Sequence, residues 1–380
     1  NVSATEQGNG GRAIVWSEND ARFAGTVLAR GGVLGGDGGF VETSGRHLSI
    51  PDSARVDTLA PRGTAGTWLL DPLDFIIAVS GGDMTGLMLS GSLAGGNIQI
   101  LIGSSGVGNG DILVQDIVSW NAPTTLTLSA FRNVDVTAPT GLINPSGGSG
   151  SAILRADNTG TGTGTASLRA GAVTLGTGTA TVFYNPASYA TLTDYGANGT
   201  ITGGTTSSRA LVFLSSGTAN NKTYNGTTAA TLSIAVAFIG DPTGASVNAV
   251  TLTTGTADFI DKNVGNGKTV SFSGYGLGGL DAGKFSLFGQ AASTTANITP
   301  ASLSVTANSA AKTYGQTTTF LGTAFTSSAL QNSETIGSVT LTSTGAVATA
   351  NVAGSPNALG PGAASGGTLT AATNTIPKGN

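Results

Sequence analysis

The sequence predicts an all-β protein: a right-handed parallel β-helix followed by small β-modules. Three observations predict it. Apolar side chains fall on alternate residues in many short runs, with Leu48/Ile50 and Trp68/Leu70 as examples, and turn-formers such as Ser44-Gly45, Pro51-Asp52 and Asp71-Pro72 separate the runs. Period-two alternation between turns is the signature of short strands with one buried face. Several such strands recur in each stretch of roughly 20–25 residues, the scale of a solenoid turn. The composition is the third: 60 Gly, no Cys, 39% apolar and only 9% charged residues in 380. A compact globule of that composition offsets its chain entropy poorly, whereas a stacked architecture buries each repeat against its neighbours.

The same composition excludes several functions. Without Cys there are no disulfides, no thiol catalysis and no Cys-based metal site, and the single His47 rules out a multi-His site. A pI near 4.9 with 16 Lys and Arg argues against nucleic acid, which requires clustered cations. No apolar run reaches the length of a membrane span. No signal peptide stands at Asn1, and the pattern starts without a polar cap, so the chain is expected to be a fragment of something longer.

Residues 1–195 are read as the C-terminal rungs of a longer solenoid. Arg12–Ser17 and Phe23–Ala29 are its first strands, and turns at Gly31-Gly32 and Gly35-Gly36 close them. From Phe75 to Tyr195 the pairs Ile98/Ile100, Leu126/Leu128, Val134/Val136 and Val173/Leu175 point into a common core. The pattern by itself leaves two packed antiparallel sheets open. Residues 196–218, rich in Gly, Thr and Ser around Ala210–Leu214, are a linker or last strand. The C-terminal third contains a repeat: Lys222-Thr-Tyr-Asn-Gly-Thr-Thr returns as Lys312-Thr-Tyr-Gly-Gln-Thr-Thr, a domain-sized period. It is divided into modules at 219–300 and 301–380, the second lacking its final strand because the chain ends at TNTIPKGN.

These residues also carry a resemblance. GGFVETSG, HLSIPDSARVD and TWLLDP, running without a gap from Gly38 to Pro72, are similar to the end of the β-helical body of large adhesins secreted by the two-partner route. The filamentous haemagglutinin and high-molecular-weight adhesins represent that family. GNGDILVQDIVSWNAPTTLTLSAFRNVDV and LRADNTGTGTG extend the likeness. Residues 219–300 resemble the small module named for a Tyr-Asp-Gly motif, with Asn225 departing from it, and 301–380 resemble the related MBG (YGX-type) module. The resemblance implies a non-catalytic, secreted adhesin or stalk on the bacterial surface. Its partners would be an outer-membrane two-partner transporter during export, then a host glycan or protein receptor, with self-association as a further mode. It implies no cofactor, no nucleic acid and no membrane span.

Other readings remain. A carbohydrate-active enzyme on a β-helix would use clustered carboxylates, with Asp52, Asp57, Asp71 and Asp74 as candidates; Asp52 and Asp71 adjoin prolines and read first as turn residues. A self-assembling matrix filament would pair exposed edges. Gly35–Gly39 hints at a calcium turn but lacks a tandem array. Thr159–Thr165 and Gly176–Thr181 suggest a flat Thr ladder, or simply Thr at solvent-facing strand positions. Trp16, Trp68 and Trp120 are platforms for sugars or, more commonly, core residues. His47 is placed at a strand edge. Asn198, Asn221, Asn225 and Asn297, like Asn1, begin Asn-x-Ser/Thr triplets and are candidate glycosylation acceptors. No residue is assigned to catalysis, a cofactor or a metal.

Overall fold

The computed structural model describes residues 1–367, apart from 105, 107, 140, 146, 147, 290 and 355. The proposed incompleteness of the last module, argued from TNTIPKGN, lies outside the described residues. The chain is nearly all β, 5% helical, and its strands stack in parallel as a β-solenoid of about 7 turns. It divides into two compact units that do not follow chain order. One comprises 1–214, 238–253 and 276–289; the other comprises 215–237, 254–275 and 290–380. The first thus takes in two segments that sequence analysis assigned to the 219–300 module.

In the first unit the principal sheet has nine strands. They are β1 (Arg12–Trp16), β2 (Phe40–Ser44), β3 (Thr67–Asp71), β4 (Asn97–Leu101), β5 (Thr125–Ser129), β6 (Ser151–Arg155), β7 (Thr179–Tyr184), β8 (Thr205–Val212) and β9 (Phe285–Leu287). Every neighbouring pair is parallel. Consecutive turns align Arg12 with Phe40, Thr67 with Asn97 and Thr179 with Thr205. A turn is therefore 26 to 30 residues long, more than the expected 20–25. Parallel pairing settles the alternative that the pattern left open, because antiparallel sheets would join adjacent strands instead.

Register converts alternation into stacks. Val41, Trp68, Ile98, Leu126, Ala152 and Ala180 lie one above another, and Leu70, Ile100, Leu128, Leu154 and Val182 form a second inward column. All are buried. Each fully buried Leu or Ile in such a column contributes about 1.5–3 kcal/mol. The other faces carry shorter strands. Phe75–Ile77, Ile112–Val114, Val134–Val136 and Ala166–Leu168 make one face; Ile117–Ser119, Leu142–Asn144, Val173–Thr174 and Ile201–Thr202 make part of another.

Two features were not foreseen. A helix, α1 (Gly86–Leu93), stands where a strand would lie between Arg55–Asp57 and Ile117–Ser119, and packs on both. Thr85 caps it by accepting from Met88 N at 3.0 Å, while Met88, Leu89 and Leu93 point into the core. The second feature is a glycine column. The residue just before each of β1 to β8 is Gly11, Gly39, Gly66, Gly96, Thr124, Gly150, Gly178 or Gly204. A Cβ at Gly66 would lie 2.0 Å from Gly39 O, and one at Gly178 would lie 1.9 Å from Gly150 O. At Gly11, Gly39, Gly66, Gly178 and Gly204 the corner stacks backbone on backbone, and at Gly96 and Gly150 the side chains of Thr58 and Trp120 fill the space, so no side chain fits. Thr124 is the exception; its hydroxyl donates to Leu93 O, at the end of α1, at 2.6 Å.

The second unit holds a four-stranded sheet ordered Lys222–Thr223, Thr294–Thr299, Gly265–Ser273, Thr256–Phe259. Its core is Ala219, Tyr224, Phe259, Val270, Ala296 and Ile298. The pairs Val305–Ala307 with Phe325–Ser327 and Ile336–Ser343 with Leu359–Gly367 follow, both antiparallel.

Candidate functional site

The nine-stranded principal sheet presents one outer face of the first unit. Thr67, Asn97, Thr125, Ser151, Thr179 and Thr205 form one outward row, in register from turn to turn. Successive members of the row sit about 4.8 Å apart along the stack. The row's side chains are short and polar, four of the six being β-branched Thr, which suits a solvated strand surface. The TGTGTGT run is not part of it: residues 157–164 form a loop closed on Asp157. That fully buried carboxylate accepts from Thr161 N at 2.7 Å, Thr161 Oγ1 at 2.8 Å, Gly162 N at 2.9 Å and Asn185 Nδ2 at 2.9 Å.

At the β1 end of this face a cleft of about 300 Å³ is lined by Trp16, Glu18, Arg46, Asp71, Pro72 and Ser104 among others. Trp16 is 69% exposed. Trp68 and Trp120 are core residues instead, their ring N–H groups donating to Thr43 Oγ1 at 3.1 Å and Thr124 O at 3.2 Å. The register places Trp16, Ser44 and Asp71 side by side on successive strands. Partial burial, and then the neighbouring Glu42, push the Asp71 carboxyl above the ordinary aspartate range. Glu42 itself accepts from Ser44 Oγ at 2.8 Å and pairs with Arg12 at 3.3 Å. The cleft lining thus combines an aromatic ring (Trp16), two carboxylates (Glu18 and Asp71) and a guanidinium (Arg46).

Four other carboxylates hold backbone N–H groups, hydroxyls or a cation. Asp52 accepts from Thr85 Oγ1 at 2.6 Å, and Asp57 pairs with Arg30. Asp74 collects the N–H groups of Asn109, Gly110 and Asp111 at 2.7–3.1 Å. Asp37, in the glycine-rich turn, accepts from Thr64 N and Thr64 Oγ1, each at 2.8 Å. Among the described residues no three His, Asp or Glu side chains gather as for a metal ion. His47 opens the strand His47–Ser49 and is exposed.

Farther along the face, Arg155, Phe183 and Arg209 are neighbours in register. The Arg155 guanidinium lies 5.3 Å from the ring centroids of both Phe183 and Phe288, and burial draws its pKa down. At the sequons, Asn198, Asn221 and Asn225 are exposed and Asn297 is half-buried. Their side-chain oxygens accept from Thr200 N (2.9 Å), Asn297 N (2.7 Å), Thr227 N (3.2 Å) and Gly267 N (2.7 Å), respectively.

In the second unit the two copies of the Lys-Thr-Tyr repeat differ. Lys222 closes its turn by donating to Thr227 O at 2.6 Å and Ala229 O at 2.9 Å, and Lys312 donates to Gln316 O at 3.1 Å. Tyr224 is buried and Tyr314 is 65% exposed. The Tyr224 hydroxyl donates to Glu334, and Lys262 Nζ reaches both, at 3.0 and 3.2 Å.

Residues 207–296 match the YDG domain. The chain is thus a β-helix protein carrying a YDG module, with Tyr224-Asn225-Gly226 in place of the eponymous triplet. No curated protein and no solved structure matches the chain. The match begins at Ser207, inside β8, so the YDG module includes residues of the last solenoid strand. Within the described residues no helix is long and apolar enough to cross a membrane.

Sequence reasoning did not single out the Trp16 cleft as a unit. Arg12–Trp16 reads RAIVW, in which both alternating sets contain apolar residues, so alternation alone does not choose the inner face.

Proposed function

We propose that the chain is a non-catalytic surface adhesin or stalk of the filamentous haemagglutinin and high-molecular-weight adhesin type, exported by the two-partner route and displayed outside a bacterial cell. The observation that carries this reading is the unbroken parallel ladder from β1 to β8. Its inward columns are continuous, and the outward row through Thr67, Asn97, Thr125, Ser151, Thr179 and Thr205 is polar. Such a ladder yields length, stiffness and a broad face rather than a closed pocket. The Trp16 cleft is the proposed contact point for a host glycan or glycosylated receptor, and residues 301–380 are proposed to be an MBG-type spacer. The outer-membrane transporter is the partner proposed for export.

The test is adhesion of beads coated with the full chain to epithelial cells. We expect saturable attachment that soluble chain competes away, and that Trp16→Ala with Arg46→Ala removes while the unfolding midpoint holds. Attachment no greater than that of albumin-coated beads would refute the adhesin reading. A parent open reading frame with no N-terminal secretion domain and no neighbouring transporter gene would refute the export route.

A further inference from the structure

A parallel solenoid has a weakness that its own turns do not cure. The last strand presents a row of unpaired N–H and C=O groups, and the last layer of core side chains faces water. Here β8 is that strand. Its final residues are not left open: Ala210, Leu211 and Val212 pair in parallel with Phe285, Ser286 and Leu287 of β9. Phe288 N continues the ladder by donating to Val212 O at 2.9 Å. Just beyond, Ile239 N donates to Phe213 O at 2.9 Å, and Leu214 bridges Phe238.

The side chains follow the backbone. Phe285, 2% exposed, and Val250 belong to the same buried cluster as Val182, Ala210 and Val212. The Tyr189 ring stands 6.3 Å from Phe285, and its hydroxyl donates to Leu211 O at 2.7 Å. Asn248 is buried and ties the arrangement together, donating to Tyr189 O at 2.7 Å and Pro242 O at 3.2 Å. Asp281 joins the two returning segments by accepting from Ala249 N at 2.7 Å. Thr251–Thr253 pairs with Gly276–Gly278 to brace them.

We propose that segments 238–253 and 276–289 of the YDG module are the C-terminal cap of the solenoid, and that this cap keeps a second copy of the chain from adding to β8. The start of the family match inside β8 fits this assignment, since the cap and the strand that it covers then form one unit. The inference is independent of whether the outer face binds a receptor.

The experiment uses the full chain with Phe285→Asp, which expels the capping strand, and with Asn248→Ala, which loosens its anchor without placing a charge in the core. Amide exchange is read on 205–214, with 97–101 as an internal control, and sedimentation velocity is run over a hundredfold range of concentration. The expected result is exchange at least tenfold faster in 205–214, unchanged exchange in 97–101, and larger species that grow with concentration beyond the unaltered chain. If Phe285→Asp also deprotects 97–101, Asn248→Ala decides by the same two readouts. Unchanged exchange in 205–214, or a size distribution equal to that of the unaltered chain, overturns the proposal.

Discussion

Replacing Gly66 by Ala adds one methyl group to the glycine column, and the structure sets its effect. The new Cβ would lie 2.0 Å from Gly39 O, where ordinary contact begins near 3.4 Å. Gly39 O also accepts the ladder bond from Thr67 N at 3.1 Å. The two turns must part by more than 1 Å at this corner to accept the methyl. That shift costs about 1 kcal/mol for the stretched hydrogen bond and about 1–3 kcal/mol for the overpacked corner. Gly91, exposed on α1, is the contrasting site. A Cβ there meets nothing within 4 Å, and Ala in a helix interior is favoured over Gly by about 0.5–1 kcal/mol. The same substitution should therefore lower stability at 66 and raise it at 91. All three tryptophans, at 16, 68 and 120, lie in the first unit, so urea titration followed by tryptophan fluorescence reports on the solenoid alone. The expected midpoints fall on opposite sides of that of the unaltered chain. Equal shifts, or an unchanged midpoint for Gly66→Ala, would refute the claim that backbone contact dictates the column.

Asp71→Asn should alter pH dependence. A carboxyl raised in the fold binds more protons folded than unfolded, so its ionisation destabilises the fold as pH climbs from the ordinary aspartate value through the raised one. Urea midpoints of Asp71→Asn should thus exceed those of the unaltered chain at neutral pH, and the gap should close below pH 4 or so; a gap that persists in acid would contradict the burial argument. Tyr224→Phe removes the hydroxyl that links Lys262 and Glu334, at a cost of about 1–3 kcal/mol to the second unit. Exchange of 294–299 should report the loss, with tryptophan fluorescence unmoved. When the chain is presented to an Asn-x-Ser/Thr glycosyltransferase, exposed Asn198, Asn221 and Asn225 should be modified ahead of half-buried Asn297, as read by glycopeptide mass spectrometry.

Much of the solenoid was legible because alternation is a local signal. Trp68/Leu70, Ile98/Ile100 and Leu126/Leu128 all face inward as the pattern requires. Parallel stacking was expected from the repeat scale and is what the structure has, but the exact register was not legible, since partners lie 26 to 30 residues apart and no local rule links Thr67 to Asn97. The glycine column was available, as a Gly directly before seven of the strands β1 to β8, but it emerges only once the turn length is known. α1 is eight residues long, with Leu87 outside and Met88 and Leu89 inside, too brief for its period to stand out from an apolar strand. The candidate site was less legible. Turn chemistry was read for Asp52 and Asp71, yet the difference between Asp74, saturated by three backbone N–H groups, and Asp71, lifted by burial, depends on neighbours a full turn away. The Lys-Thr-Tyr repeat likewise gave no sign that Tyr224 would be buried and Tyr314 exposed.

The chain leaves the first unit after Leu214, returns at Phe238, leaves after Thr253 and returns at Gly276. A protease that nicks 254–275 therefore severs one covalent bond without liberating either piece, because residues on both sides of the cut stay seated in the same fold. Genetic recombination meets the same restriction. A crossover placed between β8 and Thr218 would transplant the YDG module without the strand on which it rests, so an exchange that preserves both partners must carry that strand along.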